Sequence, residues 1–163
     1  MKALKEREHK VIYKDGDKVV KVFDETFSKA DVLNEALNMA RVEETGLRIP
    51  KLLNVSKVDG KWAITREYIE GTPLSQLMAQ HPEKQDEYLN TFVDIKLEIL
   101  GKTCPHLNKI KDKMHAKISA SDYEATLRYD LHNRLEGMKP HKKVLHGDYC
   151  PSNVIVTPDG RYY

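Results

Sequence analysis

Residues 144–156, V-L-H-G-D-Y-C-P-S-N-V-I-V, set an aspartate and an asparagine five positions apart in a polar loop between two apolar runs. The runs Val144–Leu145 and Val154–Val156 are predicted as short strands. Transfer of a phosphoryl group to a hydroxyl needs a carboxylate beside the attacking oxygen and an uncharged oxygen ligand for Mg²⁺ nearby. Asp148 suits the first role, as base or orienter, and Asn153 the second. An ordinary loop has a similar composition, because Asp, Pro, Ser and Asn are common turn formers. His146 is read as a prop that hydrogen-bonds the loop, with direct catalysis as the alternative.

A second charged residue stands where an apolar one is expected. In V-V-K-V-F, Lys21 shares a strand face with Val19 and Phe23, since side chains alternate with period 2. A lysine on a buried face has to be paired. On an edge strand it would instead reach water. The helix predicted after Ser28, with Asp31 completing a capping box, supplies a partner. Glu35 lies in line with Val32 and Met39, beside an apolar stripe of Leu33, Ala36, Leu37 and Ala40. Glu43 and Glu44 fall near the end of that helix and are expected in solvent. A unit charge pair at 4 Å is worth about 4 kcal/mol at an effective dielectric near 20, so losing the Lys21 charge is expected to cost severely in phosphate binding and transfer.

The order of elements is informative too. A hairpin of Val11–Tyr13 and Val19–Phe23 turns at Asp15-Gly16, and a second, Leu52–Val58 with Lys61–Ile69, turns at Asp59-Gly60. Between them the helix ends near Gly46. After Gly71 the pattern becomes helical. Thr72 and Pro73 are predicted as N-cap and first residue of a helix with Leu74, Leu77 and Met78. A longer helix covers about 83–100, a shorter one carries Ile110, Met114 and Ile118, and one capped by Ser121 and Glu124 runs to Gly137.

A hairpin with a central lysine, a helix with a glutamate, a second hairpin, helices, then the Asp/Asn loop is a protein-kinase-like succession. The 144–156 segment resembles the H-G-D-x-x-x-x-N motif of the aminoglycoside phosphotransferase and choline kinase superfamily, with Gly147 where protein kinases carry Arg. The resemblance implies an α+β, bilobal, protein-kinase-like fold: a small antiparallel β lobe with one helix at 1–70 and a mainly helical partial lobe at 71–163. It implies ATP and Mg²⁺, Lys21 on the phosphates, Glu35 orienting Lys21, and a hinge at R-E-Y-I-E-G. There the backbone of Glu67, Tyr68 and Ile69 would hold adenine. The acceptor would be a hydroxyl of a small molecule such as an aminoglycoside or amino-alcohol.

Two departures from the family pattern stand out. K-E-R-E-H-K, where the phosphate-covering loop belongs, has no glycine; Arg7 and His9 there are read as surface residues of a frayed end. The turn Thr157-Pro158-Asp159-Gly160 leads into Arg161-Tyr162-Tyr163 as a return strand, and the family's second metal-binding Asp is not reached. The chain is therefore read as a fragment, with little activity alone and apolar surface open to self-association. A non-catalytic, pseudokinase-like nucleotide-binding module is the alternative.

Composition excludes other classes. A net charge of +2 among 163 residues, with 32% charged and 40% hydrophobic, gives no reason to expect nucleic acid or a membrane surface as partner. The basic stretch 109–117 reads as a solvated helix face. Two cysteines make no disulfide framework, Cys150 reads as inert with a reactive thiol as alternative, and the polar N-terminus is no signal peptide; the expected place is the cytoplasm.

Overall fold

The computed structural model describes residues 1–139 and 142–163. Five antiparallel strands form one sheet in the order β1 (Lys2–Arg7), β2 (Lys10–Asp15), β3 (Lys18–Phe23), β5 (Lys61–Glu67), β4 (Leu52–Val58). Both predicted hairpins are present. At the second, Asp59 and Gly60 take φ of 49° and 79°, the left-handed pair that a two-residue turn matching the sheet's twist requires.

Strand β1 is an addition to the sequence reading. Arg7 is not at a frayed end: it pairs with Lys10 across the Glu8-His9 turn. Neither turn residue has positive φ, so the turn needs no glycine. His9 is pinned as well, its Nδ1 2.9 Å from Asp24 Oδ2.

Helix α1 (Lys29–Glu43) packs on one face of the sheet. Its capping box forms: Ser28 Oγ accepts from the Asp31 amide, and the Asp31 carboxylate accepts from the Ser28 amide. The core is Phe23, Val32, Ala36 and Ile64, ringed by Phe27, Met39, Leu52, Val55 and Trp62. The buried face of α1 thus runs through Val32, Ala36 and Met39, one position round from the predicted stripe. Leu33 and Leu37 are 42% and 48% exposed. Glu43 is not left to solvent either, because its Oε1 accepts from the Leu52 amide at 2.5 Å and ties α1 to β4.

Past Gly71 the chain forms β6 (Thr72–Pro73), α2 (Leu74–Gln80), a 3₁₀ turn at Pro82–Lys84, α3 (Gln85–Gly101), α4 (Ile110–Ser119), α5 (Ala125–Gly137) and β7 (Ile155–Val156). Thr72 does not cap α2. Thr72 and Pro73 are extended and pair with Val156 and Ile155, so Pro73 takes the cap position. Ser121 does not cap α5: its hydroxyl donates to Ile118 O and closes α4 instead. Val144–Leu145 is not a strand. The chain there makes a single bridge, Lys143 with Thr103, and buries Val144. The predicted final turn is present, with Thr157 and Arg161 bonded across it and Ile155 and Tyr163 exchanging both backbone bonds.

Among the described residues, side-chain contacts join α1 and the loop after it to the helical part. Asn108 Nδ2 donates to Asn34 Oδ1 at 3.0 Å, Cys104 Sγ donates to Arg41 O at 3.4 Å, and Arg48 lies 3.9 Å from Glu98. Both cysteines are free thiols. Among the described residues no helix is long and apolar enough to cross a membrane.

Candidate functional site

Two pairs of charged or polar groups are assembled, one on each part of the molecule. On the sheet, Lys21 sits opposite Ile64 of the neighbouring strand, on the face that α1 covers. Its Nζ reaches Glu35 Oε1 at 2.5 Å and lies 4.7 Å from the centre of the Phe23 ring. Burial lowers the pKa of Lys21, and the hydrogen bond and charge of Glu35 act against that shift. The predicted lysine partner on the helix is therefore the one found, because Glu35 lies on the buried line of α1, between Val32 and Met39.

A third charge joins this pair. Arg66 sits opposite Val19 in the same register and so shares the Lys21 face. Burial depresses its pKa, and the Glu35 carboxylate opposes that. One carboxylate thus faces two cations on a half-buried surface, an arrangement that leaves net positive charge available to an anion. The sequence reading did not single out Arg66; its place two residues after Ile64 in an apolar strand was the available signal.

On the helical part, the loop brings Asp148 and Asn153 together. Asn153 Nδ2 donates to Asp148 O at 2.9 Å and to Asp148 Oδ2 at 3.0 Å. Both amide hydrogens are thereby used, and the carboxamide oxygen of Asn153 is the atom left for a cation. A hard cation prefers oxygen ligands, so this oxygen and the exposed Asp148 carboxylate have the right chemistry for Mg²⁺. The short 3₁₀ turn Pro151–Asn153 sets the spacing, with Pro151 at its first position.

The loop is held in three ways. Gly147 takes φ of 84°, a conformation that residues with a Cβ rarely adopt. The Asp148 amide donates to His146 Nδ1 at 3.2 Å, which is the propping contact read from the sequence. Burial lowers the pKa of His146, which favours the neutral ring that this bond requires. Tyr149 anchors the loop to α3: its hydroxyl donates to Phe92 O at 2.5 Å and its ring stacks on Phe92 at 4.2 Å. Lys96 Nζ lies 5.0 Å from the centre of the Tyr149 ring. Burial raises the Tyr149 pKa to about 12. The anchoring role of Tyr149 was not read from the sequence; Phe92 and Lys96, one helical turn apart on α3, were its signal.

At the predicted hinge, the Glu67 amide donates to Lys51 O and the Tyr68 amide to Asp17 O. Lys14 Nζ sits 3.7 Å from the centre of the Tyr68 ring.

A sheet with a Lys–Glu pair to its helix, followed by helices and a loop carrying Asp and Asn, defines a protein-kinase-like protein. The chain belongs to the phosphotransferase enzyme family, whose model matches residues 6–162. Among solved structures it is similar to the choline kinase LicA from Streptococcus pneumoniae, at 20% identity and a TM-score of 0.50. That match covers 98% of this chain and 59% of the choline kinase, so the chain spans well under two thirds of its relative's length. The kinase domain of PknI from Mycobacterium tuberculosis also matches, at 19% identity and a TM-score of 0.36, over 99% of this chain and 55% of that one. No curated protein matches.

Proposed function

We propose that this chain supplies the nucleotide-binding lobe, residues 1–70, and the catalytic-loop lobe, residues 71–163, of an ATP-dependent kinase acting on a hydroxyl of a small molecule. The observation that carries the reading is the pairing of Asp148 with Asn153 in a family whose chain order also sets Lys21 on Glu35. Lys21 holds phosphates, and Glu35 fixes the lysine's direction. Arg66 adds positive charge to the same face. Asp148 orients the acceptor hydroxyl and draws its proton. Asn153 would hold Mg²⁺ through its free amide oxygen; the ion, when bound, neutralises charge on the transferring phosphoryl group.

Adenine would sit at Glu67–Ile69. The Glu67 and Tyr68 amides are engaged by Lys51 O and Asp17 O, so among the described residues the Ile69 amide is the donor of the three left for the base. The acceptor class is an aminoglycoside or amino-alcohol. We place the chain in the cytoplasm, where two free thiols are at home. Self-association would draw on Leu89, Val93 and Leu97, which recur at every fourth residue and stay exposed on α3.

One observation favours a second reading, a non-catalytic nucleotide-binding module. The turn at Glu8-His9, where a phosphate-covering loop belongs, is built without glycine. With Asp148 as the single carboxylate of the loop, the chain taken alone is a slow transferase. Turnover below the roughly 1–100 s⁻¹ of ordinary kinases is the expected result of an ADP-release assay over a panel of amino-alcohols and amino-sugars. Asp148→Asn should lower what remains by about 10²–10⁴-fold while nucleotide binding persists. Lys21→Met should weaken nucleotide binding. Equal nucleotide affinity in Lys21→Met and the parent chain would refute the assignment, and ordinary turnover would refute the slow-transferase reading.

A further inference from the structure

Outside the residues assigned to phosphoryl transfer, α4 and α5 bring two histidines together. His115 Nδ1 lies 2.6 Å from His132 Nδ1. The ring planes are 14° apart and the centroids 4.9 Å apart, a separation that exceeds the N–N distance by about a ring's width. The rings therefore meet edge to edge, with the two Nδ1 atoms facing each other.

The outer nitrogens are anchored to oxygen. His115 Nε2 is 2.9 Å from Glu136 Oε1, and His132 Nε2 is 3.3 Å from Ser119 Oγ. Lys111 holds Glu136 in turn, donating to its carbonyl at 3.1 Å with the carboxylate 4.0 Å away. A metal-binding histidine typically donates its second ring N–H to an oxygen in this way, which fixes the tautomer that leaves the inner nitrogen free.

We propose that His115 and His132 form a binding site for a divalent transition-metal ion that prefers imidazole, with Zn²⁺ as the reference ion. Without metal, one proton bridges the two Nδ1 atoms. With metal, His115 keeps Nε2–H toward Glu136, and His132 moves its proton from Nδ1 to Nε2. The Ser119 hydroxyl donates in the first state and accepts in the second. No net charge is lost or gained by the pair. Zn–N bonds of about 2.0–2.1 Å in a tetrahedral arrangement put the two nitrogens roughly 3.3 Å apart, so the pair opens by about 0.7 Å as the rings turn toward the ion. Among the described residues no third such side chain converges there, so water completes the coordination.

The site would also staple a weakly held pair of helices. Helix α4 buries no residue, and α5 buries Leu135 alone. A bridging ion adds a direct link between them.

The experiment is a calorimetric titration of the intact chain with Zn²⁺, with Mg²⁺ as the oxygen-preferring control, alongside imidazole ¹⁵N spectra and thermal melting. One Zn²⁺ per chain should shift the Nδ1 resonances of both rings and raise the melting temperature, and Mg²⁺ should do neither. His115→Gln and His132→Gln should each abolish this binding. Glu136→Gln, which keeps both ligands, should weaken it by about 10–100-fold. An unchanged isotherm in the double histidine variant would place the ion elsewhere and overturn the proposal. Ring nitrogens that do not move in the parent chain would overturn it even where a variant fails to fold.

Discussion

At the scale of single residues, two side chains hold the backbone of the Asp148 loop in place, His146 and Tyr149. His146 accepts from the Asp148 amide through Nδ1, so it serves only as a neutral ring. Burial sets its folded pKa below the ordinary value of 6.5. Between that lowered value and 6.5 the unfolded chain binds more protons than the folded one, so stability rises as pH rises through this window. The contribution is fully present above 6.5 and is lost below the folded pKa. The protection of the Asp148 amide relative to its intrinsic exchange rate should accordingly fall as pH drops below about 6.5, and His146→Asn, which keeps an acceptor, should flatten that dependence. Persistence of the pH response in His146→Asn would remove His146 as its source. Tyr149 gives a second test. With its pKa raised to about 12 it should be among the last tyrosines to ionise in an ultraviolet titration. Tyr149→Phe keeps the stacking on Phe92 but removes the hydroxyl bond, and should cost about 0.5–1.5 kcal/mol in chemical denaturation.

At the scale of elements, the joint between the two parts is a close backbone approach. A Cβ built on Gly71 would lie 2.4 Å from Val156 O and 2.8 Å from an Ile155 side-chain carbon. Both neighbours belong to β7, which follows the Asp148 loop directly. Gly71→Ala should therefore push β6 and β7 apart, cost about 1–3 kcal/mol and disturb the loop's amide resonances, whereas Gly101→Ala, which meets open space, should leave them in place. Gly71 is legible in the sequence as a change of character, but not as a contact. Its partner lies 85 residues on, and pairing so distant leaves no local pattern. The same physics separates what was read correctly from what was not. The hairpin turns and the α1 capping box are local and were legible. Thr72 carried the composition of a cap but was claimed by a strand pairing. Ser121 donated its hydroxyl to Ile118 O and closed the preceding helix. The apolar stripe of α1 was misplaced by one position because Leu33 and Val32 are equally apolar, and only the sheet decides which is covered. Glu35 is legible all the same, since a charged side chain on the covered face needs a cation opposite it, and Lys21 and Arg66 both stand there.

At the scale of the whole molecule, the proposed nucleotide is a bridge. Lys21 and Glu35 belong to the sheet and α1, while Asp148 and Asn153 belong to the loop beyond α5. Among the described residues, side-chain contacts that join these parts meet α1 or the loop after it: Asn108 on Asn34, Cys104 on Arg41 O, and the Arg48–Glu98 pair. A ligand that engages both sides should stabilise the folded chain beyond what either side gains alone. Binding to the native state only, at 100 times its Kd, contributes about 2.7 kcal/mol. For a chain of this size that is roughly 5–11 °C of melting temperature, at about 2–4 °C per kcal/mol. The expected pattern in a thermal melt is then specific. ATP with Mg²⁺ should raise the melting temperature of the parent chain. Asn153→Ala should retain the part of the shift that ATP produces without Mg²⁺ and lose the part that Mg²⁺ adds. Lys21→Met should lose most of both, because the phosphates then meet no lysine opposite Ile64. A full shift in Lys21→Met would mean that the nucleotide is held elsewhere, and the two pairs would have to be read as separate structural features.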